Sequence, residues 1–113
     1  MSKKYLIVIP VRKEAYVKKF SNRDSLTALI ADKVGSKTRE IEMIPEFGED
    51  YKIIASEIKG GAENEVATYI SALPEPENIY GPALILATTP DGDAGCSLEI
   101  AVSIRDFVKN LRM

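Results

Sequence analysis

The chain has 113 residues, of which 45% are hydrophobic and 28% are charged, and its formal net charge is −2. These values are typical of one globular domain, which we predict to span residues 1–113. The sequence contains one cysteine and no histidine, which excludes an intramolecular disulfide, a histidine-based catalytic triad and a cysteine- or histidine-rich metal site. No apolar run approaches the roughly 20 residues that span a bilayer. Nothing near the N-terminus has the pattern of a signal peptide, so a cytoplasmic protein is expected.

Charge is distributed unevenly along the chain. Residues 1–23 carry seven basic residues against Glu14 alone, a net charge of +6, whereas residues 40–99 carry thirteen carboxylates against two lysines, a net charge of −11. This asymmetry is compatible with solvated faces, with a basic surface that binds phosphate, or with an acidic surface that binds a basic partner. It is also compatible with the two ends meeting each other in an oligomer.

Two strands are predicted at the start of the chain. Residues 5–11 form an almost continuously apolar run rich in β-branched residues, which predicts a well-covered strand. Residues 15–20 have moderate strand character. If they pair with the first strand, Lys18 and Lys19 protect a sheet edge.

A helix and a hairpin are predicted next. A helix-start signature at residues 21–24, apolar residues at helical spacing and a terminating Gly35 predict a helix at about 23–34. Residues 39–44 alternate between polar and apolar side chains, and residues 51–58 form a second strand, so the two are expected to pair antiparallel. The inner face of the second strand is expected to carry Tyr51, Ile53 and Ala55.

A second helix is predicted after Gly60 and Gly61, two adjacent glycines that interrupt regular secondary structure. Glu63 and Glu65 lie where its first turn is expected, and the helix dipole favours acidic groups there. Apolar residues at strict helical spacing predict its buried face, which comprises Val66, Tyr69, Ile70 and Leu73.

The C-terminal part is predicted to hold a buried strand, a loop and a final helix. The strand at residues 82–88 has a core without polar residues, so both of its faces are expected to be covered. Ser97 is predicted to cap the final helix, whose buried stripe comprises Leu98, Ala101, Val102, Ile104, Val108 and Leu111. The order β(β)αββαβα predicts an α+β fold with a single mixed or antiparallel sheet of about five strands and about three helices, largely on one face.

The loop at residues 88–97 concentrates small and polar residues between a strand and a helix. Such a loop exposes backbone N–H groups, which predicts contact with a phosphate or carboxylate. Its predicted ligand-binding residues are Thr88, Thr89, Asp91, Gly92, Asp93, Gly95 and Ser97. Asp91 and Asp93 repel an anion, and the loop fits neither the Walker pattern nor an EF-hand. The alternative is that the loop is only a tight turn and a helix cap.

The first hairpin supplies a second group of predicted ligand-binding residues, namely Arg12, Lys13, Tyr16, Lys18 and Arg23. Their charges suit a nucleotide phosphate, and an aromatic ring among them suits stacking on a base. Nucleic acid is not expected as a partner, because the rest of the chain is acidic and the isoelectric point is about 5.2. Because the loop at 88–97 needs positive charge, we expect the loop and the hairpin to converge, within one subunit or across two. The alternative is that the lysines only protect a sheet edge.

Two further groups of reactive side chains have simple structural alternatives. Glu40 and Glu42 lie on one face of a strand, where two carboxylates are able to act as an acid–base pair or to hold Mg²⁺. The alternative is that they form the solvated face of the strand. Cys96 lies near the start of the final helix, where a thiol pKa can be lowered. The alternative for Cys96 is that a small residue fills a tight junction.

Residues 79–86, the Asp91–Asp93 segment and the Ser97–Leu98 pair together resemble a family of small uncharacterised proteins from phages and mobile elements. Those proteins carry a Gly-Pro strand, an acidic glycine loop and a Ser-Leu helix start near their C-terminus. The resemblance extends over most of residues 5–105. It implies a phage-type context, hence the host cytoplasm, and no particular chemistry.

We therefore expect a non-enzymatic binding protein of phage or mobile-element type that sequesters a small anionic, nucleotide-like ligand. We expect it to form a homo-oligomer and to use no cofactor, metal or membrane. One alternative is a protein–protein inhibitor of a host factor that acts through its acidic middle. A third possibility is a small enzyme that uses carboxylates and a metal ion.

Overall fold

The computed structural model describes residues 4–47, 50–58, 60–74, 77–89 and 92–111. Its strands are β1 (Tyr5–Ile9), β2 (Tyr16–Lys19), β3 (Thr38–Glu42), β4 (Tyr51–Ser56), β5 (Ala83–Thr89) and β6 (Gly92–Ala94). Its helices are α1 (Arg23–Lys33), α2 (Glu65–Ile70) and α3 (Leu98–Lys109), with a short 3₁₀ helix at Pro45–Phe47. Across these ranges, no helix has both the length and the apolar character needed to cross a bilayer.

One antiparallel sheet contains all the strands, in the order β2-β1-β5-β4-β3, and β6 pairs with the end of β5. The most apolar strands, β1 and β5, lie in the middle, where Ile7 is opposite Ile85 and Val8 is opposite Leu84. Each such side chain gains about 2 kcal/mol from full burial, which favours central positions for these two strands. The charged strands β2 and β3 form the edges. The predicted α+β fold with a single sheet is confirmed.

Both faces of the sheet are covered by helices. On one face, Leu26 of α1 packs with the side chains of Leu6, Val8, Phe20, Ile54, Leu84 and Leu86. The other face packs against α2 and α3, and it includes Tyr51, Ile53 and Ala55 of β4 as predicted. The expectation of helices largely on one face therefore holds for α2 and α3, whereas α1 covers the opposite side.

The start of α1 differs by one residue from the predicted signature. The side chain of Asn22 accepts a hydrogen bond from the Ser25 N–H at 2.9 Å, and the Ser25 hydroxyl accepts one from the Asn22 N–H at 2.8 Å. This reciprocal pair is a capping box in which Asn22, and not Ser21, is the cap. The helix ends as predicted, because Gly35 adopts a φ of +122° just after it.

The buried faces of α2 and α3 differ from the predicted stripes at their margins. Ala67 and Ile70 of α2 are buried, but Tyr69 is 55% exposed. In α3, Ala101, Ile104 and Val108 are buried as predicted and Val102 and Leu111 are half-buried, whereas Leu98 is 49% exposed. Both residues lie at the border of an apolar stripe, where spacing alone does not determine which flank faces the sheet.

The predicted loop at 88–97 is largely regular structure. β5 continues through Thr89, and β6 pairs back on it with Asp93 opposite Thr88 and Gly92 opposite Thr89. The chain then pairs with β1, because the Cys96 N–H donates to the Tyr5 carbonyl at 2.9 Å and the Tyr5 N–H donates to the Cys96 carbonyl at 3.1 Å. Residues 92–94 therefore lie beside the part of β5 that extends past its pairing with β1.

Candidate ligand-binding site

A cleft of about 460 Å³ opens where β1 ends. The turn between β1 and β2 forms one wall, the start of α2 forms the other, and the end of α3 closes the back. Its lining residues are Ile9, Arg12, Lys13, Glu14, Ala15, Glu63, Asn64, Glu65, Val66, Val108, Lys109 and Leu111. We refer to this region as the cleft end of β1.

Arg12 reaches the cleft from an unusual backbone conformation. Its φ is +59°, and among the described residues it is the one non-glycine residue with a positive φ. The left-handed conformation costs an L-residue about 1 kcal/mol, and such strain is common at functional positions. The turn thereby places the adjacent cations of Arg12 and Lys13 on the cleft wall.

Asn64 holds the opposite wall in place. It is 2% exposed, and its side-chain amide donates to the carbonyls of Ile9 and Gly81, each at 2.9 Å. Its Oδ1 accepts a hydrogen bond from the Ala67 N–H at 3.1 Å, which caps α2. One buried side chain therefore joins the end of β1, the start of β5 and the first turn of α2. Because these bonds use the amide, Asn64 supports the cleft and is not itself a ligand-binding group.

The cleft carries both signs of charge above an apolar floor. Its cations are Arg12, Lys13 and Lys109, and its carboxylates are Glu14, Glu63 and Glu65. Lys109 and Glu14 form an ion pair at 3.5 Å between the end of α3 and the β1–β2 turn. The buried side chains of Ile9, Ala15 and Val108 form the floor. This arrangement suits a ligand that combines an anionic group with hydrogen-bond donors and an apolar part.

At the other end of β1, the part of the predicted loop that the structure describes has structural roles. Gly95 and Cys96 are buried, and the Ser97 hydroxyl accepts from the Ile100 N–H at 3.3 Å as the cap of α3. Thr88 and Thr89 belong to β5, and Gly92 and Asp93 belong to β6. Asp91 lies outside the described residues. We refer to the region around the first residue of β1 as the loop end of β1. It comprises Tyr5, residues 92–97 and the start of α3.

Cys96 does not have the environment of an activated thiol. Burial raises the pKa of this thiol above its ordinary value. Its Sγ lies 3.5 Å from the Tyr5 carbonyl, to which the thiol donates. A neutral thiol packed at a strand junction is the arrangement that the sequence offered as the alternative.

The structure divides the basic hairpin between the two ends of β1. Arg12 and Lys13 lie at the cleft end, whereas Lys18 is opposite Leu6 and Lys19 is opposite Tyr5, at the loop end. The five residues of β1 separate these groups by about 13 Å. Within one chain, Arg12 and Lys13 therefore do not converge with residues 92–97.

The remaining hairpin residues lie outside the cleft. Tyr16 pairs with Val8, whose side chain packs on the α1 side, while the cleft opens on the α2 and α3 side. Arg23 is the first residue of α1. Phe20, which directly follows Lys18 and Lys19, is buried under α1.

The acidic residues are also divided. Glu40 and Glu42 lie on the α1 side of edge strand β3, and Glu40 forms an ion pair with Lys52 at 3.6 Å. Glu63 and Glu65 lie on the opposite side of the sheet, at the cleft. In the part of the chain that the structure describes, no three acidic or thiol groups come together as a metal-binding cluster.

Sequence patterns did not identify several residues of the cleft as partners. Glu63 and Glu65 were expected to support a helix dipole and to belong to the acidic middle of the chain, and Lys109 was not among the predicted ligand-binding residues. Asn64 carried a usable signal, because asparagine is a preferred N-cap and precedes an apolar helical stripe. Nothing local in the sequence indicated that the β1–β2 turn would face the start of α2.

Comparisons of the chain with protein-family models, curated proteins and solved structures gave no match. The resemblance to small phage and mobile-element proteins therefore stays a prediction, as does a cytoplasmic location.

Proposed function

We propose that the protein is a non-enzymatic binding protein for a small phosphorylated ligand of the nucleotide type, and that the ligand occupies the cleft. The observation that supports this proposal is the placement of Arg12 and Lys13 on one wall of a 460 Å³ cleft, opposite Glu63 and Glu65. This volume lies within the range of about 300–1,000 Å³ that is common for small-molecule sites.

Each part of a nucleotide has a chemical counterpart in the cleft. The guanidinium of Arg12 and the ammonium of Lys13 suit a phosphate, since arginine donates two parallel hydrogen bonds to phosphate oxygens. The carboxylates of Glu63 and Glu65 accept hydrogen bonds, as ribose hydroxyls and base amino groups require. The apolar floor suits the face of a base.

The presence of both positive and negative side chains in the cleft predicts which ligands bind most tightly. A bare anion such as phosphate gains from the cations but is repelled by the three carboxylates in the same lining. A nucleotide separates its phosphate from its hydrogen-bond donors, so it can place each beside the matching wall. We therefore expect nucleotides to bind more tightly than inorganic phosphate.

Calorimetric titration with AMP, ADP, ATP and cyclic AMP tests the proposal. Arg12→Asn is the informative variant, since asparagine tolerates a left-handed backbone and the substitution removes the guanidinium group. We expect a loss of tenfold or more in affinity, which corresponds to about 1.4 kcal/mol. Lys18→Gln is the matched control, because it removes an exposed cation at the loop end, and it should change affinity less than about twofold.

Two results would overturn the proposal. One is the absence of binding for every nucleotide with the wild-type protein. The other is binding that survives Arg12→Asn and Lys13→Gln but is lost in Lys18→Gln, which would move the site to the loop end.

A groove beside α2 supports a second candidate function, inhibition of a basic protein partner. The groove measures about 360 Å³ and its lining includes Glu63, Glu65, Glu77 and the exposed ring of Tyr69. Exposed tyrosines are frequent anchors of protein interfaces. Fluorescence anisotropy with a lysine-rich peptide should detect binding that Tyr69→Ala and Glu77→Gln weaken and Arg12→Asn leaves unchanged. Equal loss in Arg12→Asn, or no binding at all, would reject this candidate.

A further inference from the structure

The two edges of the sheet are complementary in charge and direction. β2 lies at one edge and β3 at the other, and each neighbouring pair along the order β2-β1-β5-β4-β3 is antiparallel. Four antiparallel steps separate the edges, so β2 and β3 run in the same direction. A second copy shifted sideways along the sheet therefore brings its β3 beside this β2 as a parallel neighbour with the same face up.

The hydrogen-bonding groups needed for such a contact point outward. The Phe20 N–H donates to the Lys4 carbonyl across the β1–β2 pair, so the backbone of Val17 and Lys19 faces away from β1. Likewise the Glu57 N–H donates to the Lys37 carbonyl across the β3–β4 pair, so the backbone of Thr38 and Glu40 faces away from β4.

The end of β3 is closed, which restricts the contact to its first part. The Glu42 carbonyl accepts a hydrogen bond from the Ala72 N–H at 2.8 Å, and the Ile44 N–H donates to the Ile70 carbonyl at 3.0 Å. The chain after α2 thus occupies the edge beyond residue 42, and among the described residues no backbone hydrogen bond is made to the outer side of the stretch from Thr38 to the Glu42 N–H.

Side chains on the two edges match at one position on each face of the sheet, and Lys19 and Arg39 also lie on the face away from α1. On the α1 side, β2 presents Lys18, opposite Leu6 in its pair, and β3 presents Glu40 and Glu42. On the other side, Val17 and Ile41 are apolar and pack with the same core cluster. With Val17 beside Ile41 of the second copy, Lys18 lies next to Glu42.

Lysine on an edge strand normally prevents pairing between identical edges, because like charges meet. Here the same charge selects the opposite edge, since β3 carries carboxylates where β2 carries a lysine. We propose that the protein associates with further copies of itself head to tail, with β2 of one chain pairing in parallel with β3 of the next. This proposal concerns the sheet edges and does not depend on a ligand in the cleft.

A charge-swap experiment on the full chain tests the proposal. Sedimentation velocity over a concentration series should show assemblies larger than one chain for the wild-type protein, and each of Lys18→Glu and Glu42→Lys should shift the distribution to single chains. Each variant repels its own copies, yet the two variants carry complementary edges for each other. An equal mixture should therefore restore the wild-type size distribution. Lys18→Gln should give an intermediate loss.

Circular dichroism of each variant checks the fold, and both substituted side chains are exposed. A wild-type protein that sediments as one chain at every concentration would overturn the proposal. Assembly that neither charge reversal affects would also overturn it, because another surface would then be responsible. Failure of the mixture to restore assembly would show that Lys18 and Glu42 do not face each other.

Discussion

The two ends of β1 use polar residues in opposite ways. At the loop end, two residues of the segment that suggested an anion site have structural roles: the Cys96 backbone pairs with Tyr5, and the Ser97 hydroxyl caps α3. At the cleft end, the charged groups of Arg12, Lys13, Glu63 and Glu65 line a 460 Å³ cavity.

The difference follows from the length of the side chains and from the requirement of backbone N–H groups for hydrogen-bond partners. A segment rich in glycine and serine leaves backbone N–H groups that have to be satisfied, and short side chains satisfy them locally. Long charged side chains on a tight turn extend away from the backbone and face whatever wall the fold places opposite. Because of this, the small polar residues of the loop end contribute to backbone pairing and to a helix cap, whereas the adjacent cations on the strained turn line a cleft.

Among variants at the two ends of β1, Asn64→Ala should lower the unfolding free energy most, because it removes the support of the cleft wall. It leaves the Ile9 and Gly81 carbonyls and the Ala67 N–H without their partner, and we expect a loss of about 3 kcal/mol in unfolding free energy. Urea denaturation measures this loss. Asn22→Ala is the matched control, because it removes an exposed cap alone and should cost about 1 kcal/mol. Equal losses in the two variants would show that the hydrogen bonds from Asn64 to the Ile9 and Gly81 carbonyls contribute nothing to the unfolding free energy.

A smaller effect is expected at the loop end from Ser97→Ala. Loss of the α3 cap should lower the unfolding free energy by about 1 kcal/mol, and Ser97→Asp should restore most of it, since aspartate also caps helices. Nucleotide affinity should stay at the wild-type value in both variants. A tenfold weaker affinity in a folded Ser97→Ala protein would return the site to the loop end.

Arg12→Asn should raise stability slightly while it weakens nucleotide binding. The substitution relieves part of the left-handed strain at φ +59°, so we expect a gain of about 0.5 kcal/mol in thermal or urea unfolding. Lys13→Asn lies on the same turn without a positive φ and should give no gain. A marked loss of stability in Arg12→Asn would mean that the guanidinium holds the turn together and is not available to a ligand.

The smallest expected effect is a dependence of stability on alkaline pH at the loop end. Burial raises the pKa of the Cys96 thiol, so the unfolded chain releases this proton first, at about pH 8.5. The stability is then intact below that pH and falls as the pH rises further. Burial also raises the pKa of Tyr51, which extends the fall above about pH 10. Cys96→Ala should flatten the first part of the slope in urea titrations, and an unchanged slope would contradict this assignment.

Much of the fold could be predicted because burial leaves a clear pattern in sequence. The apolar runs of β1 and β5 identified two of the strands that are covered on both faces, and the two-residue period of a strand placed Tyr51, Ile53 and Ala55 on one side of β4. Gly35 marked the end of α1, because few other residues adopt its backbone conformation.

The features that escaped prediction depend on contacts between distant segments. β6 has three residues, Gly92–Ala94, and forms because β5 extends past the point where β1 stops pairing with it. The cleft likewise arises from the meeting of the β1–β2 turn with the start of α2, about fifty residues later in the chain. Asn64 connects the end of β1 to the start of α2, because its side chain donates to the Ile9 carbonyl and caps the helix, and this role depends on burial that no local pattern expresses.

Amide NMR spectra of isotope-labelled protein, recorded during a titration with ADP, test most directly whether the ligand binds at the cleft end. The account predicts that the largest shift changes fall on residues 12–15 and 63–66, while the amides of Gly95, Cys96 and Ser97 stay in place. Shift changes concentrated on those three residues, with the β1–β2 turn unmoved, would contradict it.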